Sequence, residues 1–269
     1  MHKLARQVRF SINPFLAEDS VGFNSFSSRP AGEGLAIFLE LYVGLLGEVE
    51  PATGFVVNVV DIDKNVTEYV VPIFAGGIRK YFRQGKHIGF SEIIELLQAA
   101  GQKLKGKFKG AKLAELSLLL NPFRKIAIDC EGTQRDCKMA YFSEKFEFAA
   151  MHRLWNSDFS DERNREVFGK CANPAGHGHN YTAEVTIKAP AAGESFCVGD
   201  FEKIVTNEFI ELVDHKNLNV DVEEFKGVNP TVENITVFAW EKLAGKFGEA
   251  TLHCVTVWET DKTCSSYYG

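Results

Sequence analysis

Residues 174–187 read Pro-Ala-Gly-His-Gly-His-Asn-Tyr-Thr-Ala-Glu-Val-Thr-Ile, and residues 30–43 read Pro-Ala-Gly-Glu-Gly-Leu-Ala-Ile-Phe-Leu-Glu-Leu-Tyr-Val. The two stretches share Pro-Ala-Gly-x-Gly and a β-rich run in which Glu184 aligns with Glu40. Nearer the end of each half, Val-Thr-Val-Trp-Glu at 255–259 aligns with Leu-Ser-Leu-Leu-Leu at 116–120. Self-similarity of this kind predicts two copies of one structural unit.

Both copies have the same order of predicted elements: alternating residues, a long strand, helical patterns and two closing strands. In the first copy the long strand is predicted at 35–46 and a helix near 90–105. In the second copy the strand is predicted at 180–188, with helices at 201–213 and 231–247. This ββααββ order predicts a tandem α+β fold, with helices on one face of an antiparallel sheet in each copy. The polar, turn-like stretch at 132–136 predicts the junction, and hence domains at 1–136 and 137–269.

Composition excludes several classes of protein. The 269 residues are 45% hydrophobic, which is enough to bury a core. A net charge of −6 argues against a general binder of nucleic acid or anionic membranes, so the lysines between 103 and 112 are interpreted as a solvated helix end and turn. The longest apolar stretch, near residues 35–46, is interrupted by Glu40, so we expect no membrane-spanning segment there. The first ten residues lack an apolar run, so they predict no secretory signal. The six scattered cysteines favour reduced thiols, and we expect a cytoplasmic protein.

Three of the seven histidines, His152, His177 and His179, suggest a metal site. His177 and His179 are two residues apart, so on a β-strand both rings point to the same face. An imidazole from a neighbouring strand would complete a three-histidine set, which is a catalytic zinc arrangement with one open position. Zinc is favoured over copper or iron because the pattern supplies no redox ligand set. A structural site with Cys171 as fourth ligand is the open alternative.

Other residues of the second copy carry chemistry or a simple structural role. Cys171, beside Lys170 and a dication, is expected to have a lowered pKa and to accept a proton. Asp214 and His215 are either a proton-transfer pair or a helix-end turn. Glu259 ends a strand, where a carboxylate can bind the paired N–H groups of a pterin or guanine edge. Thr231 is predicted to cap the helix that follows.

Taken together, these segments resemble the 6-pyruvoyltetrahydropterin synthase family, which includes the 6-carboxytetrahydropterin synthases. The resemblance runs in order from about residue 140 to the C-terminus. The matching segments are Ala-Ala-Met-His-Arg-Leu at 149–154, Ser-Asp-Glu-Arg-Asn at 160–164, Phe-Gly-Lys-Cys at 168–171, Asn-Pro-Ala-Gly-His-Gly-His-Asn-Tyr at 173–181, Asp-His-Lys-Asn-Leu-Asn at 214–219, Pro-Thr-Val-Glu-Asn at 230–234 and Glu-Thr-Asp-Lys at 259–262.

The resemblance implies a tandem T-fold and a zinc-dependent lyase acting on 7,8-dihydroneopterin triphosphate. The product would be a 6-pyruvoyl tetrahydropterin, by triphosphate elimination, or a 6-carboxy tetrahydropterin, by side-chain cleavage; the pathway served, biopterin or queuosine, is left open. The implied roles are zinc ligation by His152, His177 and His179, proton abstraction by Cys171, proton transfer by Asp214 with His215, and pterin binding by Glu259 with Thr231 and Glu233. Homo-oligomers with active sites at subunit interfaces are also implied.

Two alternatives stay open beside the lyase. One is a non-catalytic pterin- or purine-binding or structural protein whose zinc braces the fold. The other is hydrolysis of a purine ring, for which a cysteine-containing zinc set is expected.

The first copy lacks the same chemistry in the sequence alignment. Glu33 aligns with His177, Leu35 with His179, and Leu120 with Glu259, and no histidine lies near residues 10–16. The first copy is therefore predicted to retain the fold without the metal site.

Overall fold

The computed structural model describes residues 1–15, 35–131, 139–191 and 197–269. The chain divides into two compact units, one built mainly from residues 1–142 and the other mainly from residues 143–269. The predicted junction at 132–136 lies outside the described residues, so the limits 1–136 and 137–269 stay a prediction. Among the residues described, no helix is both long and apolar enough to cross a membrane.

The first unit is an antiparallel sheet accompanied by helices. Its strands are paired in the order β1, β2, β3, β4. They are β1 (His2–Ile12), β2 (Ile37–Gly47), β3 (Ala111–Leu119) and β4 (Arg124–Asp129). The helices are α1 (Val59–Asn65), α2 (Val71–Arg83) and α3 (Phe90–Leu104), and a π-helical turn (Val66–Val70) joins α1 to α2.

The second unit has the same kind of sheet. Its strands are β5 (Met139–His152), β6 (His177–Pro190), β7 (Lys216–Asn217), β8 (Thr251–Thr260) and β9 (Thr263–Tyr267). The order is β5, β6, β8, β9, and the short β7 pairs with β5 in parallel. The helices are α4 (Asp161–Phe168), α5 (Val198–Val205), α6 (Glu211–Val213), α7 (Leu218–Asp221) and α8 (Val232–Leu243). A π-helical turn (Thr206–Ile210) joins α5 to α6, and 3-10 turns lie at Gly169–Ala172 and Glu223–Phe225.

The predicted α+β class and its two-copy layout are confirmed. One further sign of duplication is a buried helical stripe at a spacing of four residues in each unit. The stripe is Ile62, Val66, Val70 and Phe74 in the first unit, and Phe201, Val205, Phe209 and Val213 in the second. Each stripe crosses the π-helical turn and presents one apolar face to the core. The sequence analysis predicts no helix at 59–83. The many valines there favour a strand locally, and packing of this stripe overrides that preference.

The same turn connects the last helix to the next strand in both units. Residues 104–111 read Leu-Lys-Gly-Lys-Phe-Lys-Gly-Ala, and residues 243–250 read Leu-Ala-Gly-Lys-Phe-Gly-Glu-Ala. Gly106 and Gly245 have φ values of 74° and 75°, in the left-handed region that glycine adopts without strain. The lysines between 103 and 112 are exposed here, in agreement with a solvated helix end and turn.

The sheet register corrects one part of the sequence alignment. β2 pairs with β3 through an irregularity between Gly44 and Leu45, and β6 pairs with β8 through one between Thr186 and Ile187. When the two irregularities are matched, Gly44 corresponds to Thr186, and its partner Glu115 corresponds to Cys254. This correspondence supports the alignment of 116–120 with 255–259. In the long strand, however, the match of Glu40 with Glu184 is wrong.

The corrected register moves the long strands by two residues relative to each other. Tyr42 pairs with Ser117 as Glu184 pairs with Thr256, so Tyr42 is the counterpart of Glu184. Extended to the start of the strand, this register makes Leu35 and Ile37 the counterparts of His177 and His179. Glu33, the predicted counterpart of His177, lies outside the described residues. Because the shift is an even number of residues, it keeps every side chain on its predicted face.

Candidate metal centre and active site

The three histidines meet where β5 ends and β6 begins. His177 and His179 are the first and third residues of β6, and their ring centroids are 4.6 Å apart. His152 is the last residue of β5, and its ring centroid lies 4.7 Å from that of His177 and 5.1 Å from that of His179. The two-residue period and the neighbouring strand therefore bring the rings together as predicted.

The surroundings of His152 set the state of its ring. The residue is 1% exposed, and Nδ1 lies 2.8 Å from the carbonyl oxygen of Pro230. A carbonyl only accepts, so Nδ1 carries the proton in the neutral ring and Nε2 keeps its lone pair. Burial lowers the pKa of His152, although the Pro230 carbonyl acts in the opposite direction. Burial and the neighbouring His179 likewise lower the pKa of His177. Both rings are thus favoured in the neutral form that binds metal.

The distances and partners around these rings fit a metal ion. Two nitrogens bound to one tetrahedral zinc ion lie about 3.3 Å apart. The Nε2 atoms of His152 and His177 are 3.2 Å apart. Nε2 of His179 is buried and has no hydrogen-bond partner among the described residues. Buried polar atoms normally have one, so a ligand role suits this nitrogen.

Two overlapping groups of side chains bring their ligand atoms within 4.8 Å of one another. One contains His152, Cys171 and His177, and the other contains His152, His179 and Glu259. His152 belongs to both, whereas His177 and His179 fall in different groups, so the three predicted ligands are divided between the two groups. Across residues 1–15, 35–131, 139–191 and 197–269, these groups lie only in the second unit.

Cys171 lies in the 3-10 turn that follows α4, with its Sγ 3.7 Å from Nε2 of His177. Its carbonyl accepts a hydrogen bond of 2.9 Å from the backbone N–H of Leu154, which ties the turn to the segment after His152. Burial, and then the carboxylate of Glu259, raise the pKa of this thiol. Without an ion, burial disfavours the thiolate and the carboxylate of Glu259 adds to this effect. The predicted lowering of the Cys171 pKa beside a dication stays a prediction.

Glu259 is directed at the histidines from the end of β8. Its Oε1 lies 3.6 Å from Nε2 of His152 and 3.6 Å from Nε2 of His179, and the side chain is 20% exposed. A partly exposed carboxylate beside these nitrogens is able to accept hydrogen bonds from a ligand or to bind a cation. Its predicted role as the pterin anchor stays a prediction.

Asp214 and His215 form a bonded pair just after α6. Nδ1 of His215 lies 2.9 Å from Oδ2 of Asp214, while Oδ1 of Asp214 accepts a 2.9 Å hydrogen bond from the N–H of Ala149. The backbone N–H of His215 donates to the carbonyl of Ala149 at 2.6 Å. The Ala149 N–H, and next the His215 side chain, lower the pKa of Asp214. The pair is thus held against Ala149 of β5, three residues before His152. The imidazole of His215 is 82% exposed.

The remaining predicted binding residues lie at the start of α8. Thr231 is the N-cap, as predicted, and its hydroxyl accepts a hydrogen bond of 3.4 Å from the N–H of Asn234. Glu233 is exposed in the first turn of the helix. Substrate binding by Thr231 and Glu233 stays a prediction.

Sequence reasoning missed the asparagines that hold the segment after His152. Asn219 bonds both backbone groups of Arg153, at 2.7 Å and 2.9 Å, and Asn229 accepts from the N–H of Trp155 at 2.9 Å. The fully buried Asn164 bonds the N–H and the carbonyl of Asn156. The signal in the sequence was asparagine in loops, where its side chain commonly bonds backbone groups.

The second unit is similar in sequence to known proteins. A sequence profile described as "6-pyruvoyl tetrahydropterin synthase" matches residues 141–269. The chain is 40% identical over 142 residues to the human 6-pyruvoyl tetrahydrobiopterin synthase. The aligned region covers 52% of this chain and 97% of the human protein. It is 36% identical over 135 residues to the Drosophila melanogaster protein of the same name, covering 49% and 80% of the two chains.

Among solved structures, the 6-pyruvoyl tetrahydropterin synthase of Caenorhabditis elegans is 34% identical, with a TM-score of 0.44 over 49% of this chain and 96% of that one. The sequence matches to the human and fly proteins cover nearly all of the former and four-fifths of the latter. Through its second unit, the chain belongs to the 6-pyruvoyl tetrahydropterin synthase family.

Proposed function

We propose that the chain is a zinc-dependent lyase that converts 7,8-dihydroneopterin triphosphate to 6-pyruvoyl tetrahydropterin and triphosphate. Relatives in several animals bear the name of this synthase, which favours the pyruvoyl product over the 6-carboxy product. The observation that carries the proposal is the convergence of three imidazoles beside a thiol and a carboxylate, with Nε2 of His179 buried and without a hydrogen-bond partner among the described residues.

His152, His177 and His179 would hold the zinc ion. When bound, zinc supplies Lewis-acid polarisation of the substrate side-chain oxygens, which acidifies the adjacent C–H bond. The nitrogen and oxygen donors of this site suit zinc, and the neutral rings need not lose a proton to bind it.

Cys171 is proposed as the base that takes a proton from the substrate side chain. Its Sγ lies beside His177, so the thiol faces the same space as the proposed ligands. Because burial and Glu259 raise its pKa in the metal-free protein, a nearby dication would be needed to favour the thiolate. The exposed His215, held by Asp214, is proposed to carry the second proton between solvent and substrate.

Glu259 is proposed to orient the pterin by accepting hydrogen bonds from two adjacent ring N–H groups, assisted by Thr231 and Glu233 at the start of α8. The reaction is internally balanced. The side-chain carbon next to the ring becomes a carbonyl while the ring C=N bond gains two hydrogens, so no external oxidant or reductant is required. Elimination of triphosphate and ketonisation of the resulting enol then produce the second carbonyl.

The first unit is proposed to be a copy that kept the fold and lost the site. In the corrected register, Leu35 and Ile37 occupy the positions of His177 and His179, and Leu120 that of Glu259. Leucine and isoleucine have no atom that binds a cation or a polar ring edge. We also propose that the chain forms homo-oligomers that carry half the number of active sites expected for their number of T-fold units.

The test is incubation of the zinc-loaded protein with 7,8-dihydroneopterin triphosphate, followed by mass spectrometry of the pterin and assay of released triphosphate. We expect the pyruvoyl product, and its loss in Cys171→Ala, while the matched control Cys264→Ala, at an exposed cysteine of β9, keeps activity. A 6-carboxy product would reassign the reaction to side-chain cleavage. Unchanged substrate in the presence of bound zinc would refute the lyase and favour a pterin- or purine-binding protein.

A second candidate is favoured by the position of Cys171. A zinc-bound sulfur and nitrogen lie about 3.6 Å apart in a tetrahedral site, close to the 3.7 Å between Sγ of Cys171 and Nε2 of His177. Ligation by Cys171 would fit a bracing zinc or the hydrolysis of a purine ring. Zinc content measured on Cys171→Ala separates the candidates, because retention of zinc shows that the thiol is not a required ligand.

A further inference from the structure

The imidazole of His152 has its orientation set by a backbone carbonyl rather than by a carboxylate. Nδ1 lies 2.8 Å from the carbonyl oxygen of Pro230, while the hydroxyl of Tyr181 is farther away, at 3.4 Å. Of these two neighbours, the carbonyl is the nearer and can only accept. The position of the Pro230 carbonyl therefore decides which ring nitrogen is protonated and where Nε2 points.

The Pro230 carbonyl is aimed by a tight turn over residues 229–231. The N–H of Thr231 donates to the carbonyl of Asn229 at 2.8 Å, which closes the turn around Pro230. The proline ring limits its own φ, so this turn has few alternative shapes. The side chain of Asn229 also accepts from the N–H of Trp155, which ties the turn to the segment that follows His152.

Asn234 completes the turn from the first turn of α8. Its Nδ2 donates to the same Asn229 carbonyl at 2.8 Å, so that oxygen accepts from both Thr231 and Asn234. The helix thus holds the turn through a side-chain donor, in addition to the Thr231 cap. Within the described part of the chain, the side chain and N–H of Asn234 bond Asn229 and Thr231 and no histidine of the site, so an effect on the metal centre must pass through the turn.

We propose that Asn234 is a positioning residue that fixes the tautomer and orientation of His152 through the Asn229–Pro230 turn. The effect on metal binding rests on the proposed function, whereas the effect on the tautomer does not. Alanine removes the donor, and aspartate presents a carboxylate to the Asn229 carbonyl. Either change removes one of the two hydrogen bonds to the Asn229 carbonyl and leaves the Pro230 carbonyl, the acceptor for Nδ1 of His152, less constrained.

The test compares the wild-type protein with Asn234→Ala, Asn234→Asp and a control, Asn58→Ala. Asn58 caps α1 in the first unit, where its side chain accepts a 3.0 Å hydrogen bond from the N–H of Val60. Two measurements are made: long-range ¹H–¹⁵N NMR of the neutral His152 ring in metal-free protein, and zinc affinity by competition with a chelator. We expect wild-type and control rings protonated on Nδ1, mixed tautomers in both Asn234 variants, and zinc affinity lowered about 10- to 100-fold in those variants only.

The outcomes separate the two proposals. Wild-type zinc affinity and an unchanged tautomer in both Asn234 variants would overturn the positioning role. A wild-type ring protonated on Nε2 would also overturn it, and this result needs no variant that folds. If the wild-type protein binds no zinc at the histidines, the proposed function fails, while the tautomer measurement still decides the role of Asn234.

Discussion

Gly176, the residue before the first histidine of β6, is expected to be intolerant of any side chain. Its φ is 70°, in the left-handed region. A Cβ at this position would lie 2.9 Å from the carbonyl oxygen of His152 and 3.0 Å from Cε of Met151. The end of the Met151 side chain is flexible, but the carbonyl belongs to the backbone of His152, a proposed metal ligand. Gly176→Ala must therefore strain its own backbone, displace that peptide, or do both.

The size of the effect follows from two terms. A left-handed conformation costs an L-residue about 1–2 kcal/mol, and forced overpacking costs about 1–3 kcal/mol. We expect Gly176→Ala to lower the free energy of unfolding of the second unit by about 2–5 kcal/mol. Gly245→Ala isolates the first term, because Gly245 has a φ of 75° and nothing within 4 Å of its Cβ position. Gly227→Ala has neither feature and should change stability by less than about 0.5 kcal/mol.

Urea unfolding of the metal-free protein, followed by tryptophan fluorescence, measures these differences. The three tryptophans, Trp155, Trp240 and Trp258, all belong to the second unit, so the signal reports that unit. Zinc affinity is measured on the same variants, and Gly176→Ala should weaken it while Gly245→Ala should not. Equal stability losses and equal zinc affinities in Gly176→Ala and Gly245→Ala would refute the argument from close approach to His152.

Four further predictions concern other parts of the chain. Asp214 has a lowered pKa, so its contribution to stability is present above the ordinary carboxyl pKa of about 4 and is lost as pH falls through the folded value. In urea titrations across acid pH, Asp214→Asn should therefore lose less stability than the wild-type protein. Parallel curves of stability against pH for the two proteins would contradict this. Asn164→Ala should lower the free energy of unfolding of the second unit by about 2–4 kcal/mol, measured by tryptophan fluorescence, because it removes a buried side chain that bonds the part-buried N–H and carbonyl of Asn156. A loss under about 1 kcal/mol would count against that role. Chelation of zinc present at about 100 times its Kd should lower stability by about 2.7 kcal/mol, and no change would speak against a bound ion. Analytical ultracentrifugation should find an oligomer, and a monomer would exclude the proposed assembly.

Several features were predictable because they depend on residues close together in the chain. The two-residue period of His177 and His179 places both rings on one face of any strand, whatever that strand pairs with. Thr231 caps α8 because its hydroxyl directly precedes a helical run, where it lies close to the free backbone N–H groups of the first helical turn. The repeated strand and helix patterns predict the α+β class in both copies. The repeated Leu-x-Gly-Lys-Phe turn is also a local pattern that the sequence contains twice.

Other features depend on residues far apart and were decided only by folding. The register of the long strands depends on bulges at Gly44 and Thr186, which no local pattern specifies, and a two-residue error preserves the same alternation. The helix at 59–83 forms because its apolar stripe is buried, against the local preference of its valines.

Residue type and strand period are enough to tell which side chains are available for metal and proton chemistry, and which of them share a strand face. The protonation state and orientation of those groups depend on how distant segments pack. The Pro230 carbonyl lies 78 residues from His152 along the chain, yet it selects the protonated nitrogen of that ring. In the metal-free protein, burial and the distant Glu259 set the direction of the Cys171 pKa shift. Desolvation and long-range hydrogen bonds exist only when distant segments pack together, so they cannot be read from local sequence.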